Sequence, residues 1–171
     1  MEDISLHILD IVENSIRAGA RRVEIKVFEE KGKDLLTLRI KDDGKGMSKE
    51  TQKKALDSFF TTKKGKRIGL GLPLLYQSTK EAGGDFMINS KEGEGTKIVA
   101  TFKLSNIDRK PLGNINETIR VLRASHPKVE FLFEHNLVGV RHTNPKGLGR
   151  IKPVSSGVIN VAPTFFERRV K

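Results

Sequence analysis

Asp10 and Asn14 stand four residues apart in ISLHILDIVENSIRA (residues 4–18), so on a helix they share one face. A neutral amide oxygen suits a hard cation such as Mg2+, which keeps several waters and takes few protein ligands. A carboxylate one turn earlier can polarise a water or a hydroxyl nucleophile. A second group is Asp42-Asp43-Gly44-Lys45-Gly46-Met47. There a carboxylate at a strand end can accept a hydrogen bond from an adenine amino group, and the glycines let backbone approach a flat base. A third is FFTTKKGKRIGLGL (residues 59–72), where glycines permit a loop to fold over a ligand. Its lysines can neutralise phosphate, and a helix starting near Leu72 offers free N–H groups to the same charge. The fourth is Gly93-Glu94-Gly95-Thr96, whose hydroxyl can reach a phosphate or a base-bound water. Taken singly, each has an ordinary counterpart: a polar helix face, a strand-to-helix turn, a surface loop, a hairpin turn. Their order along the chain gives them weight.

The elements that must position these residues follow from hydrophobic spacing. Ile4, Ile8, Ile11, Val12 and Ile16 recur at helical intervals over residues 4–18, and Gly19 closes that helix. His7, Asp10, Asn14 and Arg17 make a second, polar stripe on it, with His7 expected at the surface or the edge of a pocket. Glu13, about 100° around the helix from Asn14, is expected to pair with Arg17 or face solvent. Alternation marks two strands, at Val23, Ile25 and Val27 and at Leu36, Leu38 and Ile40. Ser48 reads as the N-cap of a helix reaching Leu56. Another helix runs from about Leu72 to Ala82 and stops at Gly83-Gly84, followed by strands at 86–90 and 96–104. Helix, two strands, helix, loop, helix and two strands predict an α+β fold. Its architecture would be a two-layer α/β sandwich with helices on one face of a mixed sheet. Beyond Ser105, Asn114 caps a helix to about Ala124, and Val129, Phe131 and Phe133 alternate as a strand that can pair with 137–140. This gives a main domain at 1–104, a helix–strand extension at 105–140 and an irregular basic tail at 141–171.

Composition narrows the function classes. There is no run of apolar residues long enough to span a bilayer and no basic start followed by an apolar stretch, so a cytoplasmic location is the default expectation. The absence of cysteine excludes disulfides and thiolate metal sites. The net charge of +11 is uneven. Residues 1–104 hold 20 Lys and Arg against 16 Asp and Glu, and residues 105–171 hold 12 against 5. That excess could meet an acidic protein or nucleic acid, but with no Trp and one Tyr the sequence offers little for base stacking.

In this order the motifs resemble those of the GHKL superfamily, the Bergerat-fold ATPases and kinases, over about residues 4–104. DIVENSIRAGA is similar to the N box of mismatch-repair MutL proteins, and FFTTKKGKRIGLGL to the lid and second glycine box of bacterial sensor histidine kinases. DDGKGM matches the D-x-G-x-G box. The resemblance implies ATP and Mg2+ as ligands. It makes Asn14 the metal ligand, Arg17 a phosphate contact and Asp42 the adenine-reading carboxylate, with Gly44, Gly46 and Met47 lining the base. Thr61, Thr62 and Lys63 would belong to the lid, Gly69, Leu70, Gly71 and Leu72 to the triphosphate site, and Thr96 to the support of the base. Asp10 stands where hydrolysing and serine-phosphorylating members usually carry Glu, so the general base keeps its acid but is one methylene shorter. Members of the superfamily usually have a strand before the first helix; here residues 128–140 are expected to supply an edge instead. A complete sensor kinase is not expected, because no phosphoacceptor helix pair fits before Ile4. Three readings remain: a small protein kinase akin in size to anti-sigma-factor serine kinases, an ATP-dependent regulatory switch, and a DNA-linked ATPase. A protein partner, either regulator or kinase substrate, is implied by the first two. The residues do not fix an oligomeric state, and a dimer is compatible with them.

Overall fold

The computed structural model describes residues 3–56 and 71–139. Helix α1 (Ile4–Arg17) starts on Asp3, whose carboxylate accepts from the Leu6 N–H, and turns out of the helix at Gly19 with φ 81°. Strands β1 (Arg22–Glu30) and β2 (Leu35–Asp42) follow as an antiparallel pair around a 3-10 turn at Lys31–Lys33. Helix α2 (Lys49–Ala55) is capped by Ser48, which accepts from the Thr51 N–H. Next come helix α3 (Gly71–Glu81) and the hairpin of β3 (Phe86–Lys91) and β4 (Gly95–Lys103). Helix α4 (Ile115–Ser125) begins on Asn114, which accepts from the Glu117 N–H. The Glu117 carboxylate does not complete a reciprocal capping box and pairs with Arg120.

Among the described residues the sheet has five strands in the order β3-β4-β2-β1-β5. Its pairings are antiparallel except the last, where β5 (Glu130–Val138) runs parallel to β1 with Val23 opposite Phe131 and Ile25 opposite Phe133. Where two short paired strands were expected, residues 130–138 form one strand along the edge of β1. Every second residue points to one face: Val23, Ile25 and Val27; Leu36, Leu38 and Ile40; Ile98, Ala100 and Phe102. These side chains, with Ile4, Ile8, Ile11 and Val12 of α1, form a single buried cluster. Leu75, Ile115, Ile119, Leu122 and Phe131 belong to the same cluster, so α4 and β5 share the core of the preceding elements. Each fully buried aliphatic side chain contributes about 1.5–3 kcal/mol relative to exposure, which makes this face the main source of cohesion. The fold is α+β, with helices layered on one face of a mixed sheet. No helix among the described residues is long and apolar enough to cross a membrane.

His7 departs from the sequence expectation. It is 2% exposed, because its position lies three residues after Ile4 and four before Ile11 and so turns inward with them. Its Nδ1 has no hydrogen-bond partner. Burial disfavours the imidazolium and lowers its pKa from 6.5 to about 4. The folded state thus holds His7 neutral, and protonation favours the unfolded chain once pH drops below 6.5. Stability from this group is complete above that value and falls as pH goes from 6.5 towards 4. The full loss is roughly 3 kcal/mol. Urea unfolding at a series of pH values should show this decline in the wild type. The decline should be shallower in His7→Leu, which should also be at least as stable as the wild type at pH 7 because it removes the orphaned nitrogen.

Candidate functional site

The last buried position of β2 is an acid. Asp42 is 7% exposed, and both carboxylate oxygens are held: Oδ2 accepts from Ser15 Oγ at 2.7 Å and Oδ1 from the Gly44 N–H at 2.9 Å. Ser15 also lies within 3.2 Å of the Ile11 carbonyl, so its hydroxyl is placed by the helix it sits on. A carboxylate has about four lone-pair directions, and two donors leave acceptor capacity for a further N–H. Its neighbour Asp43 has a different task. Asp43 Oδ1 accepts from the N–H groups of Arg22 at 2.9 Å and Arg21 at 2.8 Å, and these bonds hold its pKa below the usual carboxylate range.

The glycines beside Asp42 are there for space. A Cβ on Gly44 would come within 3.0 Å of Asp42 Oδ1 and 3.1 Å of the Ala18 carbonyl. Gly46 has φ 68°, and a Cβ there would lie 1.9 Å from the Lys91 carbonyl. Residues 43–47 are thereby pressed between the end of α1 and the β3–β4 turn, with Lys45 N–H donating to the Ala18 carbonyl and Gly93 N–H to that of Lys45. Thr96 stands opposite Asp42 in the β2–β4 register. Its hydroxyl shares a 2.8 Å bond with Ser90 Oγ, which also accepts from the Met47 N–H at 2.8 Å. Gln52 of α2 grips the same residue, donating to the Ser90 carbonyl at 2.7 Å and accepting from its N–H at 3.1 Å. Asp42, Gly44, Gly46, Met47 and Thr96 thus share one end of the sheet.

A second cluster lies on α1. Asp10 and Arg17 are exposed and Asn14 is half-buried. The Arg17 guanidinium donates to Asn14 Oδ1 over 3.4 Å, a weak bond that a better ligand can replace. The start of α3 abuts this face, since a Cβ on Gly71 would lie 3.1 Å from Asp10 Cβ and 3.8 Å from Asn14 Nδ2. Leu72, the next residue, packs against the core. Glu13 pairs with neither Arg17 nor solvent alone; its Oε1 meets His126 Nε2 at 2.9 Å, just beyond α4. Thr61, Thr62, Lys63, Gly69 and Leu70 lie outside the described residues.

Sequence reasoning missed Ser15, Ser90 and Gln52. Ser15 carried a signal: it falls three residues after Val12 and seven after Ile8, a small polar residue on the apolar stripe that needs a buried acceptor. Ser90 and Gln52 carried none, because their contact joins segments far apart in the chain.

The chain belongs to the family of histidine kinase-, DNA gyrase B- and HSP90-like ATPases, whose model matches residues 2–106. Among curated proteins it is 34% identical over 92 residues to sporulation kinase E of Bacillus subtilis, covering 52% of this chain and 12% of that protein. It is 32% identical over 98 residues to sporulation kinase C of the same organism, covering 57% of this chain and 23% of that one. The chain therefore spans less than a quarter of these relatives. Among solved structures it is similar to the Aquifex aeolicus MutL ATPase domain complexed with ADP, with a TM-score of 0.50 and 17% identity over 79% of this chain and 60% of that one. The N-terminal domain of a DNA repair protein gives a TM-score of 0.54 at 13% identity, covering 80% of this chain and 50% of that one. At such identities the likeness is one of fold.

Two substitutions test the geometry without any ligand. Ser15→Ala leaves a buried carboxylate oxygen short of a donor and should cost about 1–3 kcal/mol in denaturant unfolding. Gly46→Ala must displace backbone at Lys91 and should cost more than Gly32→Ala, where a Cβ meets nothing within 4 Å.

Proposed function

We propose that the chain binds Mg-ATP between α1, the loop after β2 and the start of α3, and works as an ATP-dependent regulatory switch on a protein partner. The observation that carries this reading is Asp42: a buried carboxylate at the end of β2, fixed by Ser15 and Gly44, with acceptor capacity left for a further N–H. In this reading Asp42 accepts from the adenine amino group and Met47 and Thr96 border the ring. The phosphates run towards Asn14, Arg17 and the N–H groups that open α3 at Gly71. Lid residues Thr61, Thr62 and Lys63, with Gly69, Leu70 and Leu72, complete the expected contacts. Among the described residues no group of three or more His, Cys, Asp or Glu is placed to hold a metal ion. An Mg2+ ion would be carried mainly by phosphate oxygens and water with Asn14 as the protein ligand, which fits that ion's chemistry.

A kinase is the second reading, and Asp10 favours it. Asp10 is exposed and lies against Gly71, where a terminal phosphate and an incoming hydroxyl would meet, so it can take the proton of that hydroxyl. Glu13 is engaged by His126 and does not supply a second base. One short-reaching acid supports slow turnover, hence the preference for a switch.

Titration with a fluorescent ATP analogue should give saturable, Mg2+-dependent binding. Asp42→Asn should weaken it by roughly 100-fold, since a carboxamide nitrogen turned to the base replaces attraction by donor–donor conflict. Unaltered affinity in a folded Asp42→Asn protein would sink the adenine assignment. Asp10→Asn should keep ATP affinity and lose any hydrolysis or transfer. Incubation with terminally labelled ATP and cell extract should leave no labelled protein band if the switch reading holds, and a labelled band that Asp10→Asn removes would establish the kinase instead.

A further inference from the structure

β5 is an edge strand whose one neighbour among the described residues is β1. Two hydrogen bonds fix which of its backbone groups look outward. The Glu130 N–H donates to the Arg21 carbonyl at 2.8 Å, so the even-numbered residues turn their polar groups towards β1. The Phe131 carbonyl instead accepts from Arg123 Nη2 at 3.1 Å. Backbone polar groups alternate sides along a strand, so Phe133, His135 and Leu137 present N–H and C=O away from β1.

Nothing in the strand blunts that edge. Residues 130–139 (EFLFEHNLVG) contain no Lys, Arg or Pro, the residues that commonly guard exposed edges. Its two acids each have a basic neighbour, Glu130 near Arg22 at 3.8 Å and Glu134 near Lys26 at 3.2 Å, although both carboxylates stay more than half exposed. Leu137 and Val138 are 55% and 45% exposed. An edge with unpaired backbone groups, exposed Leu137 and Val138 and no Lys, Arg or Pro is a template for another strand.

We propose that a second copy of this chain pairs with β5 in antiparallel fashion, about a twofold axis through His135. The register follows from which groups are unpaired among the described residues. Arg123 closes the edge at Phe131, and Gly139, with φ 90°, ends the strand, which leaves 132–138 symmetric about His135. In this register Phe133 faces the partner's Leu137 on the core side, and Leu132 faces the partner's Val138 on the other side. Glu134 meets the partner's Asn136. Phe133 with the partner's Leu137, and His135 with its own mate, form pairs that exchange both backbone hydrogen bonds. Moving the axis one residue to Glu134 would set two carboxylates directly opposite, which is unfavourable. The resulting isologous interface joins two sheets into one and is independent of the nucleotide reading.

Sedimentation equilibrium of the full chain across the micromolar range should give twice the 19.1 kDa mass. His135→Pro removes the outward N–H at the axis without touching the β1 ladder, a position where an edge strand tolerates proline. It should yield a monomer with an unchanged circular-dichroism spectrum. His135→Ala loses the 2.7 Å contact with Glu29 but keeps its N–H, and should remain a dimer. Since the chain has no cysteine, His135→Cys should cross-link to its mate through a short bismaleimide, while Glu92→Cys on the β3–β4 turn should not. A wild type that stays monomeric throughout, or a folded His135→Pro protein that stays dimeric, overturns the proposal. If His135→Pro misfolds, failure of the cross-link at 135 overturns it.

Discussion

The bond between Ser15 and Asp42 is the constraint on which the rest of the site depends. It ties the helix that carries Asp10 and Asn14 to the strand end that carries the glycine-rich loop. Without it, a carboxylate would sit among apolar side chains with one oxygen unsatisfied, and burying such a group is costly. With it, the same carboxylate fixes the rotation of α1 against the sheet, because Ser15 must point at Asp42 while Ile8, Ile11 and Val12 point at the core. Asn14 is thereby aimed away from the sheet, towards the start of α3. A single charge-assisted hydrogen bond sets the geometry between the two clusters, and two donors on one carboxylate give it little freedom to turn.

Around that bond the loop of residues 43–47 is held from three sides. Asp43 secures the start of β1, Ala18 receives Lys45, and the β3–β4 turn closes from beyond. Ser90 and Gln52 extend this frame to α2, so the base of that helix is referenced to the same sheet end. The acidic residues around Asn14 are divided between roles in a comparable way. Glu13, committed to His126, fastens α4 to α1, whereas Asp10 remains open to solvent.

Much of this was legible in the sequence because it rests on local rules. Asn114 and Ser48 bond to N–H groups three residues on, and β2 stops at Asp42 where glycine begins. Asp42 could be singled out because an acid at the end of an apolar alternation is conspicuous. The misreadings have a different origin. His7 was assigned to a polar stripe by residue type, yet its angular position places it inside, and geometry outweighed polarity at the cost of an orphaned nitrogen. The contacts of Ser90 with Gln52 and of Glu13 with His126 depend on how distant segments are brought together, which neither periodicity nor capping encodes. β5 looked like two short strands because its edge position relaxes the alternation, and residues 134–138 are largely exposed.

The parallel pairing of β1 with β5 also orders events during synthesis. β1 can form its hairpin with β2 at once, since their partners are close in sequence, and β4 can add to β2 soon after. Val23, however, must wait for Phe131, the most remote pairing in the sheet, and closing so long a loop is slow relative to hairpin formation. Until then one side of β1 stays open while the end of the sheet that carries Asp42 and Thr96 is already assembled. A nascent chain released or stalled before residue 138 would expose that open side to pairing with the wrong strand, so β5 shields β1 as well as extending the sheet.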